Sequence, residues 1–125
     1  DNESNAFKTQ YETFVRNTLA DYSKTWAIDT TKYQYSKAFL NYYESSNYQP
    51  LLSYYKSLGS LTDIFDFKLP KYERDNKGVV GEFTFMAKFT NATVAATFSL
   101  RKYHNDLIIE NIDLRPPEFM EKKMQ

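Results

Sequence analysis

Apolar residues at Phe7, Tyr11, Phe14, Val15, Leu19, Tyr22 and Trp26 recur at steps of three and four, the spacing that lines one face of an α-helix. They predict an amphipathic first helix of about five turns, with Ser4 or Asn5 able to cap its start. Asp29, Thr30 and Thr31 read as a loop carrying the next N-cap. A second helix is expected from Lys32 to Tyr43, with Tyr35, Phe39 and Tyr42 or Tyr43 on one face, and Ser45-Ser46-Asn47 breaks it. A third begins near Pro50, a residue tolerated in the first helical turn, and presents Leu51, Leu52, Tyr55 and Leu58. Gly59 stands where a left-handed C-terminal cap belongs.

Beyond Gly59 the period falls from about 3.6 to about 2. Phe65, Phe67 and Leu69 alternate with Asp66 and Lys68, and Pro70 makes this run an edge strand or ends its ladder. Glu73 to Gly78 reads as a charged turn. Val79, Gly81, Phe83, Phe85, Ala87 and Phe89 then alternate with Glu82, Thr84 and Lys88. A turn at Thr90-Asn91-Ala92 leads to Val94, Ala96, Phe98 and Leu100, set against Thr97, Ser99 and Arg101. After the turn His104-Asn105-Asp106 come Ile108, Ile112 and Leu114, with Glu110 assigned to their face and Asn111 and Asp113 to the other. Three helices followed by four short-linked strands give an α+β fold with an antiparallel meander. The two central strands, of about 11 residues each, are long enough to curl around the first helix. One domain over residues 1–117 is expected, with 118–125 a loose tail after Pro116-Pro117.

This order resembles the nuclear-transport-factor-2-like superfamily, a cone-shaped α+β fold shared by ketosteroid-isomerase-type enzymes and many non-enzymatic modules. The matching pieces are the long first helix ending near Trp26, the short helix pair closing at Leu58-Gly59, and the closing hairpin of Thr93–Tyr103 with Leu107–Leu114. The resemblance spans about Phe7 to Pro116 and is one of layout. Where the family's last strand often opens with Trp, this chain has Leu107 or Ile108. The resemblance implies a sheet wrapped around the first helix and a pocket at the open end of the cone. It also implies frequent dimerisation through the outer sheet face.

Composition sharpens the functional options. The 125 residues carry 16 basic and 16 acidic side chains, for a formal net charge of zero. Six acids and six bases precede Asp63, so neither half is a basic arm and no footprint for nucleic acid is visible. With no cysteine and one histidine, thiolate and multi-histidine metal centres are excluded, and no cofactor or metal is expected. Walker, dinucleotide, nucleophile-elbow and zincin motifs do not occur. No apolar run approaches the length of a membrane span. The chain starts at Asp1 rather than Met, which reads as a processed or trimmed chain and favours an exported protein, periplasmic, envelope-associated or secreted.

Aromatic residues reach 18%, with 11 tyrosines and 10 phenylalanines. Tyrosine buries a ring and keeps a wet hydroxyl, which suits a half-open cavity or an interface. Tyr42, Tyr43, Tyr48, Tyr54 and Tyr55, with Trp26 at the end of the first helix, are therefore the candidate ligand- or partner-binding residues. Their alternative role is packing of two short helices over the mouth of the cone. Isomerase chemistry needs a carboxylate base and a tyrosine or protonated acid inside an apolar pocket. Asp29, Asp63 and Asp66 are the nearest acids, but Asp29 reads equally as a cap, and the other two alternate with strand apolars and face water. His104, in a predicted turn, is poorly placed for acid–base work. Asn91-Ala92-Thr93 matches a glycosylation sequon that doubles as a hairpin turn. The expected function is a non-enzymatic binding domain for a protein partner or a small apolar ligand, such as a subunit of a secretion or conjugation assembly. The alternative is a small cofactor-free isomerase- or dehydratase-like enzyme. A monomer or weak homodimer is expected from the polar outer sheet face.

Overall fold

A computed structural model of the chain describes residues 2–118. Helix α1 (Asn2–Thr25) is followed by a two-residue strand β1 (Gln34–Tyr35), helix α2 (Lys37–Glu44), a 3₁₀ turn (Ser46–Tyr48) and helix α3 (Gln49–Ser57). Four long strands complete the chain: β2 (Leu61–Asp75), β3 (Gly78–Phe89), β4 (Thr93–Tyr103) and β5 (Asp106–Arg115). The sheet order is β1-β5-β4-β3-β2. The long strands pair antiparallel, while β1 runs parallel to β5. The fold is therefore α+β, as expected, with a curved sheet that is mixed rather than purely antiparallel.

The stripe predicted for α1 is the buried one: Phe7, Tyr11, Val15, Leu19 and Tyr22 all lie in the core. The helix already runs from Asn2, so Ser4 and Asn5 lie inside it and do not cap it. At its narrow end α1 presses on β3 so closely that a Cβ on Gly81 would come within 2.5 Å of the Phe7 ring. Phe83, Phe85, Ala87 and Phe89 of β3, and Val94, Ala96, Phe98 and Leu100 of β4, face the helix. Small Ala87 and Ala96 lie in this buried row.

The second helix starts five residues later than the periodicity predicts. Ser36 caps it by accepting a bond from the Phe39 N–H at 3.1 Å. Asp29 instead closes its own turn, accepting from the Thr31 N–H at 3.0 Å and the Thr31 hydroxyl at 2.5 Å. The residues between them form β1, tied further to β5 by the Ser36 N–H to the Ile109 carbonyl. Gly59, at φ +86°, ends α3 as predicted.

Two strands carry extra residues that shift the expected faces. In β2 the register slips between Phe65 and Lys68, with Asp66 at φ +55°. This bulge turns Ile64 and Phe67 inward and leaves Phe65 on the outer surface, so the expected Phe65-Phe67-Leu69 face is corrected. Strand β2 also runs through Pro70 to Asp75, which the sheet accommodates because β2 is an edge. Only Asn76 and Lys77 remain as the turn expected over Glu73 to Gly78. In β5 the register slips at Glu110, between the pairs Ser99–Asn111 and Leu100–Ile109. Ile109 rather than Ile108 therefore joins Ile112 and Leu114 in the core, and Glu110 lies outside, bonded to Arg101. The tail expected over 118–125 lies, apart from Glu118, outside the described residues.

Candidate binding surfaces at the wide end

At the end of α1 the chain leaves the helix at Trp26, which takes φ +57°. A bulky side chain rarely adopts this left-handed backbone. It is held there from several sides. The Trp26 N–H donates to the Tyr22 carbonyl at 2.6 Å, and the Tyr43 hydroxyl donates to the Trp26 carbonyl at 3.2 Å. The indole packs on Tyr22, Tyr55 and Phe89 at centroid distances of 5.1, 5.0 and 5.9 Å.

The two short helices bring the predicted tyrosines to this end and separate them into two groups. Tyr48 and Tyr55 are 0% exposed and Trp26 is 5% exposed, so these three fill the wide end as core. Tyr42 is the most open at 39%, while Tyr43 and Tyr54 are half-buried. Rings of Tyr42, Tyr43, Phe39 and Tyr55 surround Tyr48 at 5.0 to 6.3 Å.

The buried hydroxyls are used internally. Those of Tyr22 and Tyr48 bond to each other at 2.7 Å. The Tyr55 hydroxyl accepts the Leu114 N–H at 3.2 Å and faces Asp113 Oδ1 at 3.4 Å. Burial holds all three phenols above their ordinary pKa, to about 12 for Tyr48. No described side-chain nitrogen or oxygen is buried without a partner. Tyr22 was legible in the sequence only as a core position; its bond to Tyr48, 26 residues away, left no local signal.

The candidate acids lie elsewhere. Asp29, Asp63 and Asp66 are exposed, and the hydrogen bonds from Thr31 hold the Asp29 carboxyl below its usual range. Asp63 caps the N–H of Ile64 at 2.8 Å. His104 sits in its predicted turn at φ +53°, its ring tilted against that of Tyr103. Asn91 ties its turn to α3 through the Ser57 carbonyl at 3.0 Å. Among the described residues, the carboxylate that meets the hydroxyl of a buried tyrosine at this end is Asp113. Its other oxygen is held by Arg115 at 2.8 Å, at the margin of the sheet rather than inside an enclosed apolar chamber.

Two surface depressions flank α3. One, of about 440 Å³, lies between the start of α3 and the end of β5, with Pro50, Leu51, Tyr54, Leu114 and Pro116 forming its apolar wall. Arg115 and Glu118 also line it. The other, of about 580 Å³, lies between the last turns of α1 and α3 and the start of β2, and includes Lys24, Trp26, Lys56, Ser60 and Leu61. Among the described residues no three potential ligand side chains gather to hold a metal ion, and no helix is long and apolar enough to cross a membrane. No protein-family model, curated protein or solved structure is found to match this chain.

Proposed function

We propose that the chain is a non-enzymatic binding module built on the cone-like plan of the nuclear-transport-factor-2-like superfamily, and that it grips a protein partner from outside the cone. The layout supports that plan: one long helix against a curved sheet, a short helix pair, and a closing hairpin. The observation that carries the binding reading is the filled wide end. Trp26, Tyr48 and Tyr55 occupy the space where a ligand in the cone would sit, and the hydroxyls of Tyr48 and Tyr55 are spent on Tyr22 and on the β5 backbone. The available apolar surface is the depression beside α3.

Pro50, Leu51 and Tyr54 supply rigid, largely apolar contacts there. Charges of both signs, Arg115 and Glu118, line the depression. This arrangement suits a partner segment that inserts one or two apolar side chains flanked by polar ones. In an exported setting the partner is another envelope or secreted protein.

Display of random linear peptides against the protein tests the reading. Enriched sequences should carry aromatic or aliphatic anchors and lose about tenfold or more in affinity for Tyr54→Lys. Tyr54 is half-buried at the surface, so the variant keeps the core. Failure to enrich any sequence, or equal binding to the variant, overturns the reading. Saturable binding of a small apolar molecule that displaces the core rings would favour the ligand alternative instead.

A further inference from the structure

The segment from Ala27 to Tyr33 leaves α1 at Trp26 and runs back along the same helix. Tyr33 meets Asp21 of that helix and also Phe14, whose ring lies edge-on at 5.9 Å. The segment is lightly held. Only Ile28 and Tyr33 are half-buried, while Ala27, Asp29, Thr30, Thr31 and Lys32 are exposed. Its turn is closed from within, by the Tyr33 N–H on the Asp29 carbonyl at 3.0 Å and by the Thr31 N–H on the Asp29 carboxylate at 3.0 Å. Beyond it, β1 gives the sheet just two residues. The Ala27 N–H donates to the Thr25 hydroxyl at the exit from the helix, at 3.2 Å. Among the described residues, the other polar ties from the segment to the helix converge on Asp21. Its Oδ2 accepts from the Lys32 Nζ at 2.6 Å and from the Tyr33 hydroxyl, while its Oδ1 faces Lys24 of α1 itself at 3.8 Å.

Between this segment and the helix lies a cavity of about 250 Å³. Thr18, Asp21 and Tyr22 line it from the helix, and Ala27, Asp29 and Tyr33 from the segment. Its depth is core: Thr18 is 0% and Tyr22 3% exposed, and the Tyr22 hydroxyl is the one bonded to Tyr48. A short segment with few buried apolar contacts opens locally while the rest of a domain stays folded. Both of its ends are fixed points for such a motion. Trp26 is pinned by the rings of Tyr22, Tyr55 and Phe89, and β1 by its pairing with β5. An exposed ion pair by itself holds little, but a carboxylate that also accepts a phenol hydroxyl makes a stronger, charge-assisted tie. Hydrogen bonds from Lys32 and Tyr33 hold the Asp21 carboxyl below its usual range, the mark of a carboxylate stabilised by its donors.

We propose that residues 27–33 form a strap latched by Asp21, which opens as a unit between the fixed points at Trp26 and β1 and uncovers Thr18 and Tyr22 at the depth of the cavity. The latch is the pairing of Asp21 with Lys32 and Tyr33; Lys24, on the helix, takes no part in it. The cavity shares no lining residue with the partner surface beside α3, and neither proposal depends on the other.

The chain has no cysteine, so Thr18→Cys supplies a single thiol, and its rate of alkylation by iodoacetamide, read by mass spectrometry, reports the opening. On that background Asp21→Ala and Tyr33→Phe should each speed alkylation about fivefold, and Lys24→Gln should leave it unchanged. Urea well below the unfolding midpoint should barely alter the rate, because a local opening exposes little surface. Ala96→Cys, on β4 at 2% exposure, reports global unfolding and should not respond to Asp21→Ala. The inference is overturned if neither Asp21→Ala nor Tyr33→Phe speeds alkylation at position 18, if Lys24→Gln speeds it equally, or if positions 18 and 96 accelerate together. A second measurement needs no cysteine: the nuclear Overhauser contact between the Tyr33 and Phe14 rings should weaken in Asp21→Ala and persist in Lys24→Gln. An undiminished contact in Asp21→Ala would overturn the latch as well.

Discussion

The hydrogen bond between Tyr22 and Tyr48 makes a prediction sharp enough to measure. Both residues are buried, at 3% and 0% exposure, and their hydroxyl oxygens lie 2.7 Å apart. Tyr22→Phe leaves the Tyr48 hydroxyl without a partner among the rings of Phe39, Tyr42, Tyr43 and Tyr55, and Tyr48→Phe leaves that of Tyr22 against Trp26. The vacated space is one oxygen atom, too small for a replacement water. Each single substitution should therefore cost about 1–3 kcal/mol, the desolvation penalty of an orphaned buried hydroxyl. Replacing both removes donor and acceptor together while keeping the rings. The double variant should lie within about 1 kcal/mol of the wild type. Urea melts followed by the fluorescence of Trp26, which touches Tyr22 directly, and by far-ultraviolet circular dichroism would supply the cycle. At a slope of about 1.5 kcal/mol per molar urea, each single variant should melt about 1 M lower and the double less. Additive losses would refute the argument, because they would show that each hydroxyl has its own partner. Single losses under about 0.5 kcal/mol would refute it as well, by showing that water reaches the pair.

Alkaline pH should unfold the protein early. Burial raises the phenolic pKa of Tyr22, Tyr35, Tyr48 and Tyr55, to about 12 for Tyr35 and Tyr48. The unfolded chain therefore loses its phenol protons first, so stability is intact below about pH 10 and falls above it by about 1.4 kcal/mol per pH unit per tyrosine; urea midpoints that stay flat through this window would contradict the burial. Phe85→Ala removes a ring stacked on Phe67 at 5.3 Å and should cost about 3–5 kcal/mol, whereas Thr84→Ala, on the outer face, should cost less than about 1 kcal/mol; equal losses in urea would mean that the outer face is covered. Arg101 bonds Asp75 at 2.8 Å and 3.1 Å, Glu110 at 2.9 Å and the Lys77 carbonyl at 3.0 Å. Arg101→Met should lower stability by about 1–2 kcal/mol and Arg101→Lys by a large part of it, because an ammonium cannot reproduce the paired geometry. The outer sheet face carries Lys68, Thr84, Thr97 and Asp113 in one row and Lys71, Glu82, Ser99 and Asn111 in the next, with Phe65, Met86 and Ala95 as its apolar spot. Sedimentation should accordingly show a monomer or a weak dimer at micromolar concentration; a species of about twice the 14.8 kDa chain mass that persists on dilution to nanomolar would refute this.

The elements that repeat a period over many residues were legible from the pattern alone. The stripe of α1 and the alternation of β3 and β4 place Phe7, Val15, Leu19, Phe83, Phe85, Phe98 and Leu100 on the faces that prove buried. The pattern misleads where one residue departs from its period. Asp66 and the extra residue at Glu110 each move the side chains beyond them to the opposite face, and alternation has no symbol for such a step. A two-residue strand has no period to show, so β1 was absorbed into the helix that Ser36 actually begins.

The tyrosines expose a second limit, because a phenol is apolar or polar according to what its oxygen meets. Tyr48 and Tyr55 look like interface residues when counted, and they become core because Tyr22 and the Leu114 N–H, both far off in sequence, take up their hydroxyls. Tyr42 and Tyr54 sit on the same short helices without such a partner for their hydroxyls and stay at the surface. Composition could therefore identify the wide end as the place where aromatic residues gather, while the division into filling and contact surface is decided by hydrogen-bond partners that only the folded chain brings within reach.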